Sequence, residues 1–191
     1  MSFDFTDFMD NYVSDLGIAL EKLDRKLVSK FVDLVQDQID SKGTVHFIGN
    51  GGSSGNPSHS AGDWSKELGL ATICHTDNVP ALTAWANDTG YENVFRGSLG
   101  TYLKSGDLVV AYSGSGNSVN VLNGIRFASE EMGCKTVGIT GNYKNQNGGK
   151  LAKIVDLAIV VETESMERIE DTQLIINHIV KETIKSRKMD G

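Results

Sequence analysis

The sequence predicts an α/β fold in which a parallel sheet of five strands is covered by helices on both faces. Three observations predict it: short apolar runs rich in β-branched residues, helical segments that alternate with those runs, and glycine- and serine-rich stretches directly after the first and third runs. Because parallel neighbours need a crossover connection, this alternation favours a doubly wound sheet of strand order 2-1-3-4-5.

The predicted elements begin with two amphipathic helices whose apolar positions recur at helical spacing, at about 5–20 and 22–41. Strands are expected at 45–48, 71–74, 108–112, 136–140 and 157–161. Helices are expected in most of the gaps, at about 54–68, 79–87, 91–103, 117–132 and 167–187. We therefore expect a single domain over 1–191, made of an N-terminal helical pair at 1–42 and an α/β sandwich at 43–188.

Composition narrows the class of protein. The 25 acidic and 18 basic side chains give a net charge of −7, which disfavours a broad nucleic-acid surface, so no nucleic-acid partner is expected. The chain has no apolar run of about 18 residues, and it starts with acidic residues where a signal peptide needs a basic start. Cys74 and Cys134 fit no metal-binding spacing and are expected as reduced core residues. These features predict a cytoplasmic protein without membrane contact.

Two glycine- and serine-rich loops follow the first and third predicted strands. They comprise Gly49, Asn50, Gly51, Gly52 and Ser53 in the first loop, and Ser113, Gly114, Ser115, Gly116, Asn117 and Ser118 in the second. Glycines bring backbone N–H groups close to an anion, and the helix start that follows offers unpaired donors. The carboxyl ends of the first and third strands meet at the switch point of the predicted sheet, so the loops predict one phosphate pocket. The alternative is that both are ordinary turns of an α/β protein.

Two helical segments carry imidazole and carboxylate groups at helical spacing. His59 and Asp63 are four residues apart, and Glu170 and His178 are eight apart, so each pair lies close to one helix face. Together they could form a divalent metal site or a general acid/base set. Alternatively, the first pair is a surface pair and His178 is a structural histidine.

In this order the motifs resemble the phosphoheptose isomerases, which are sugar isomerase (SIS) domain proteins. The resemblance rests on the first loop, His59 with an acid four residues later, the run Trp85-Ala86-Asn87-Asp88, the second loop, and Arg168-Ile169-Glu170 with His178 eight residues on. It runs from the N-terminal helices to about residue 187. It implies conversion of sedoheptulose 7-phosphate to D-glycero-D-manno-heptose 7-phosphate through an enediol, a step toward surface-polysaccharide heptose.

The resemblance also implies roles for individual residues. Phosphate would be bound by Ser53, Ser113, Ser115 and Ser118 beside Gly114, and the sugar by Asn50, Gly51, Gly52, Asn87, Asp88 and Glu170. Zinc, the implied cofactor, would be held by His59, Asp63, Glu170 and His178. Asp63 and His178 would form the catalytic acid/base pair.

Two positions depart from the family pattern. Asp63 stands where the best-known members carry glutamate, and Glu170 stands where they carry glutamine. The shorter base would shift the site by about an ångström, and such an error can cost about 100-fold in rate. The added carboxylate of Glu170 should strengthen metal binding and could itself act as the base, so the two changes compensate and predict a divergent branch that prefers another sugar phosphate. The alternative function is a non-catalytic SIS domain, either a phosphosugar-binding regulator or a replication-initiator-associating scaffold. Ligand-capable side chains at all four metal positions favour the enzyme.

The two leading helices are expected to serve assembly. They have no obvious place on a sheet that later helices already cover, and Phe5, Phe8, Tyr12 and Leu16 form an apolar stripe that predicts burial against another subunit. The family resemblance implies a homotetramer with active sites shared between chains. His46 and His75, in or near predicted strands, are interpreted as structural.

Overall fold

The computed structural model describes residues 3–189, and its five parallel strands lie in the order β2-β1-β3-β4-β5, which confirms the predicted fold. The strands are β1 (Thr44–Gly49), β2 (Ala71–Cys74), β3 (Leu108–Ser113), β4 (Lys135–Gly141) and β5 (Leu157–Val161). The helices are α1 (Phe5–Glu21), α2 (Arg25–Ser41), α3 (Gly52–Leu68), α4 (Val79–Thr89), α5 (Val94–Tyr102), α6 (Val119–Arg126) and α7 (Met166–Met189). A π-helical turn, Phe127–Glu131, continues α6, and three short 3₁₀ turns lie at Tyr91–Asn93, Tyr143–Asn145 and Leu151–Lys153.

The core is divided by the sheet into two apolar layers. On one face, Phe47 of β1 packs with Phe31 of α2 and Trp64 of α3. On the other, Ile48 packs with α5 and α6. Successive strand residues point to opposite faces, so a strand covered on both sides must be apolar throughout. All six residues of β3 are buried, as a central parallel strand requires.

The second leading helix belongs to the core, which corrects the expectation that both lie off the sheet. Phe31 and Val35 of α2 are fully buried in the layer that also contains α3 and α7. An amphipathic pattern shows that a helix buries one face, but it does not say which partner covers that face. Asp24 caps this helix through its carboxylate, which accepts a hydrogen bond from the Lys26 N–H at 2.8 Å.

Helix α1 lies on α7 and keeps much of its apolar side exposed. Its Tyr12 hydroxyl donates to Asp171 at 2.5 Å, and the Arg168 guanidinium lies 3.7 Å from the Tyr12 ring centroid. Phe5 and Phe8 of the predicted stripe are exposed, whereas Tyr12 and Leu16 are half-buried. Among residues 3–189, no helix is long and apolar enough to cross a membrane.

Candidate functional site

Helices α3 and α7 pack side by side in parallel, and their contact carries a row of polar side chains that we name the α3–α7 seam. Its residue pairs keep a similar separation of 114 to 120 positions, which means that the helices run in the same direction. From its N-terminal end the seam contains Asn56 with Glu170, Ser53 with Gln173, Ser60 with Asn177, His59 with His178, Asp63 with Lys181, and Glu67 with Lys185. The sequence separates these partners, and the fold brings them together.

The middle of the seam brings together three of the four predicted metal ligands. Nε2 of His59 lies 3.2 Å from Nε2 of His178. Asp63 Oδ2 is 3.6 Å from the first of these nitrogens and 3.9 Å from the second. One ligand atom from each residue lies within 4.8 Å of the other two. Two imidazoles and one carboxylate are a donor set that zinc accepts, so these residues fit the implied metal.

Glu170, predicted as the fourth ligand, lies outside this cluster. It is eight residues before His178, which corresponds to about 12 Å along a helix. Its carboxylate rests on Gly52, where an added Cβ would come within 2.2 Å of Oε2, so a side chain at this position would displace the Glu170 carboxylate. Burial raises the pKa of Glu170, and the Ser53 backbone N–H partly opposes this by stabilising the carboxylate. The carboxylate therefore occupies the N-terminus of α3, which favours an anion.

The two glycine- and serine-rich loops share a cavity of about 260 Å³ at the carboxyl ends of β1 and β3. Its lining includes Asn50, Gly51, Gly52, Ser53, Tyr112, Ser113, Gly114, Ser115, Ser118, Met166 and Glu170. The predicted convergence of the loops at the switch point is therefore present. Their roles differ, however, because Glu170 faces the first loop and the Ser53 hydroxyl donates to Gln173 at 3.3 Å. The hydroxyls of Ser113, Ser115 and Ser118, in contrast, make their hydrogen bonds within the second loop.

The second loop, residues 113–118, is held in shape from outside. Gly116 has a φ of 64°, and an added Cβ would lie 1.9 Å from the Gly148 carbonyl oxygen. The Leu151 N–H donates to the Gly116 carbonyl at 2.9 Å, and the Lys150 N–H donates to the Asn117 side chain at 3.2 Å. Such a loop presents its donors without having to be ordered on binding.

Asn50 is fixed by polar partners that sequence reasoning missed. It exchanges two hydrogen bonds of 2.9 Å with Asn120 and accepts a third from the Tyr91 hydroxyl at 2.9 Å. Asn87 and Asp88, in contrast, lie exposed on α4 and bond to each other at 2.8 Å. Asp88 lines a different cavity beside Trp85. Within one chain these two predicted sugar-binding residues are not part of the loop cavity.

A lysine that the sequence did not indicate controls the charge of Asp63. Lys181 Nζ lies 2.8 Å from Asp63 Oδ2. This hydrogen bond is the main reason that the pKa of Asp63 is lowered, and it raises the pKa of Lys181 in return. Asp63 is therefore an ionised carboxylate at neutral pH, able to bind a cation or accept a proton. The only hint in the sequence is that Glu170, Gln173, Asn177 and Lys181 recur every three or four residues along α7.

Comparison with known proteins gives a consistent result. A family described as SIS domain matches residues 8–141. The chain is 37% identical over 183 residues to a Thermoplasma volcanium protein named "Probable phosphoheptose isomerase", covering 93% of this chain and 91% of the relative. It is 36% identical over 176 residues to the phosphoheptose isomerase of Aliarcobacter butzleri, covering 84% and 90%. The structure of phosphoheptose isomerase GmhA from Neisseria gonorrhoeae is similar, with a TM-score of 0.86 and 26% identity, over 96% of this chain and 100% of that chain.

Proposed function

The chain belongs to the phosphoheptose isomerases of the SIS domain family, and from this membership we propose that it interconverts sedoheptulose 7-phosphate and D-glycero-D-manno-heptose 7-phosphate. It is an aldose–ketose isomerase in this proposal, and the reaction moves one proton between C1 and C2 through an enediol.

The observation that carries the proposal is the spacing between the loop cavity and the His59–Asp63–His178 cluster. Gly52 borders the cavity and His59 follows it by seven residues on the same helix, which corresponds to about 10 Å of helix rise. In an extended heptulose phosphate, seven bonds separate phosphorus from C2, or about 8 Å if each bond advances as in an extended peptide. A phosphate bound in the cavity would thus bring C1 and C2 near the cluster.

The residues along this path suit the parts of such a substrate. The hydroxyls of Ser113, Ser115 and Ser118 and the backbone N–H groups of their loop would bind the phosphate. Glu170 would accept from a sugar hydroxyl and Asn50 would donate its remaining amide N–H to another, since both residues line the same cavity. Asn50 is held by Asn120 and Tyr91, so it would meet the sugar already oriented.

Proton transfer would take place in the middle of the seam. The ionised carboxylate of Asp63 would accept the proton from C1 and return it to C2, and His178 would move the proton between the two oxygens. His59, Asp63 and His178 would hold the zinc ion, which when bound polarises the carbonyl. The half-exposed histidines leave room for a substrate to approach.

The assembly completes the proposal. We infer a homotetramer with active sites shared between chains, because Phe5, Phe8 and Val13 of α1 remain exposed in one chain and would be covered by another. We also infer that the protein is cytoplasmic. A neighbouring subunit would also explain a role for Asn87 and Asp88, which lie away from the cavity of their own chain. The product would enter lipopolysaccharide or capsule heptose biosynthesis.

The test is an NMR assay of the purified protein with sedoheptulose 7-phosphate in deuterated water, with zinc or with a chelator. We expect an aldose signal and solvent deuterium at the carbon next to the carbonyl. Ser115→Ala should raise KM about tenfold or more by removing a phosphate donor. Ser129→Ala is the matched control, because that hydroxyl donates to the Ile125 carbonyl within its own helical segment.

Two results would contradict the proposal. Saturable binding of the sugar phosphate without turnover would identify a phosphosugar-binding regulator or scaffold instead of an enzyme. Neither binding nor turnover would exclude this substrate.

A further inference from the structure

Lys181 is a buried charge at the edge of the proposed metal site. Only 8% of its surface is exposed, although lysine is rarely buried without a specific partner. Its ammonium group lies 2.8 Å from Asp63 Oδ2, 3.6 Å from Glu182 Oε1 and 3.7 Å from Glu67 Oε1. The nearest of these partners is the only carboxylate of the three-residue cluster.

The oxygen that Lys181 contacts is also the one that faces both imidazoles. Asp63 Oδ2 is the atom that lies 3.6 Å from His59 Nε2 and 3.9 Å from His178 Nε2. A cation bound between the two histidines would therefore share this oxygen with the ammonium group or displace it. In either case a divalent ion and a fixed positive charge would repel each other across a few ångströms.

We propose that Lys181 acts as a built-in competitor for the metal, which weakens divalent-cation binding and keeps Asp63 oriented when the ion is absent. This inference rests on the proposed metal site. Lys181 is a positioning residue in this role, because it reaches the ion and substrate only through Asp63. The consequence is an exchangeable metal, in contrast to a permanently bound one.

Lys185 provides a matched control one helical turn further along the seam. It bonds Glu67 at 2.5 Å, so it joins α3 to α7 in the same way that Lys181 does. It forms ion pairs with Glu67 and Glu182, neither of which belongs to the cluster. A purely structural role for the seam lysines predicts similar effects of replacing either one.

The experiment measures zinc and cobalt affinity of the substrate-free protein by competition with a chelating indicator, for wild type, Lys181→Met and Lys185→Met. We expect Lys181→Met to bind zinc about tenfold tighter or more, because one repelling charge is removed. The zinc affinity of Lys185→Met should stay within about twofold of wild type, because Lys185 contacts no member of the cluster and solvent screens its more distant charge. The visible spectrum of bound cobalt reports whether the same donors are used.

Equal or weaker zinc affinity of Lys181→Met would overturn the inference, as would the absence of zinc binding to all three proteins. If Lys181→Met does not fold, Lys181→Gln keeps a donor for Asp63 without the charge, and the same tightening is expected. Because affinity is measured without sugar, failure here leaves the isomerase assay unaffected. A wild-type protein that isomerises the sugar while Lys181→Met shows unchanged affinity contradicts only this inference.

Discussion

The four histidines of the chain form two clusters of the same composition, each with two imidazoles and one aspartate, and the two clusters lie in opposite environments. In the first, His46 Nδ1 is 3.0 Å from His75 Nε2, and His46 Nε2 is 3.2 Å from Asp107. These three residues are 0%, 4% and 5% exposed. In the second, the side chains of His59 and His178 are 52% and 44% exposed.

In the buried cluster, all four ring nitrogens of the two histidines and both carboxylate oxygens of Asp107 have hydrogen-bond partners. Asp107 accepts from the backbone N–H groups of Thr44 and Lys104 as well as from His46, and His75 Nδ1 lies 2.6 Å from the Ser98 hydroxyl. A neutral His46 that donates to Asp107 must accept from His75, which in turn accepts from Ser98. This series of hydrogen bonds joins β1, the end of β2, α5 and the turn before β3. It agrees with the structural interpretation of both histidines.

These two environments show that residue types alone do not identify a site. The buried cluster uses its hydrogen-bonding capacity within the protein, and a substrate has no route to it. The cluster of His59, Asp63 and His178 has two half-exposed imidazoles whose Nε2 atoms face each other, and its carboxylate is shared with a lysine. Exposure and incomplete pairing distinguish a group available for chemistry from one that stabilises the fold.

We expect His178→Ala to have a greater effect than the other changes, and this effect should be a loss of activity. Loss of a positioned acid/base group should lower kcat about 100- to 10,000-fold. The free energy of unfolding should change by about 0.5 kcal/mol or less, because the side chain is half-exposed. Turnover by NMR and urea unfolding of the same preparation measure both quantities. An unchanged kcat would show that the exposed cluster is not catalytic.

We expect Asp107→Ala to have the next greatest effect, and this effect should be a loss of stability. The change leaves His46 and two backbone N–H groups without their buried acceptor, so we expect a loss of about 3 kcal/mol in the free energy of unfolding. Urea unfolding at pH 7.5 measures it. Activity per folded molecule should stay near that of wild type. A mutant as stable as wild type but inactive would reverse the assignment of the two clusters.

The sequence could predict the sheet and the convergence of the loops, because strand pattern and crossover rules limit the possible topologies. It could also place His59 and Asp63 on one face of a helix. It could not predict the pairing of Asp63 with Lys181, since a helical pattern does not specify the register between two helices 118 residues apart in sequence. For the same reason the eight-residue spacing did not reveal that Glu170 lies over Gly52, outside the cluster.

The smallest effect distinguishes the clusters by their response to acid. Burial lowers the pKa of His75 to about 3 and also lowers the pKa of His46. His75 therefore stays neutral in the folded protein above about pH 3, whereas the histidines of the unfolded chain are protonated below about pH 6.5. The unfolded state then binds more protons, and stability falls as pH decreases from about 6.5 toward 3. His75 contributes a slope of up to about 1.4 kcal/mol per pH unit in that window.

The measurement is urea unfolding at a series of pH values from 8 to 4.5, for wild type and His75→Gln. Glutamine keeps a donor and an acceptor but does not titrate, so the variant should lose about 1.4 kcal/mol per pH unit of slope, although it is less stable at pH 8. Ser129→Ala should keep the wild-type slope. A slope that is the same in His75→Gln and wild type would mean that the buried cluster is protonated in the folded protein. The buried cluster would then lack the neutral hydrogen bonds that distinguish it from the exposed cluster.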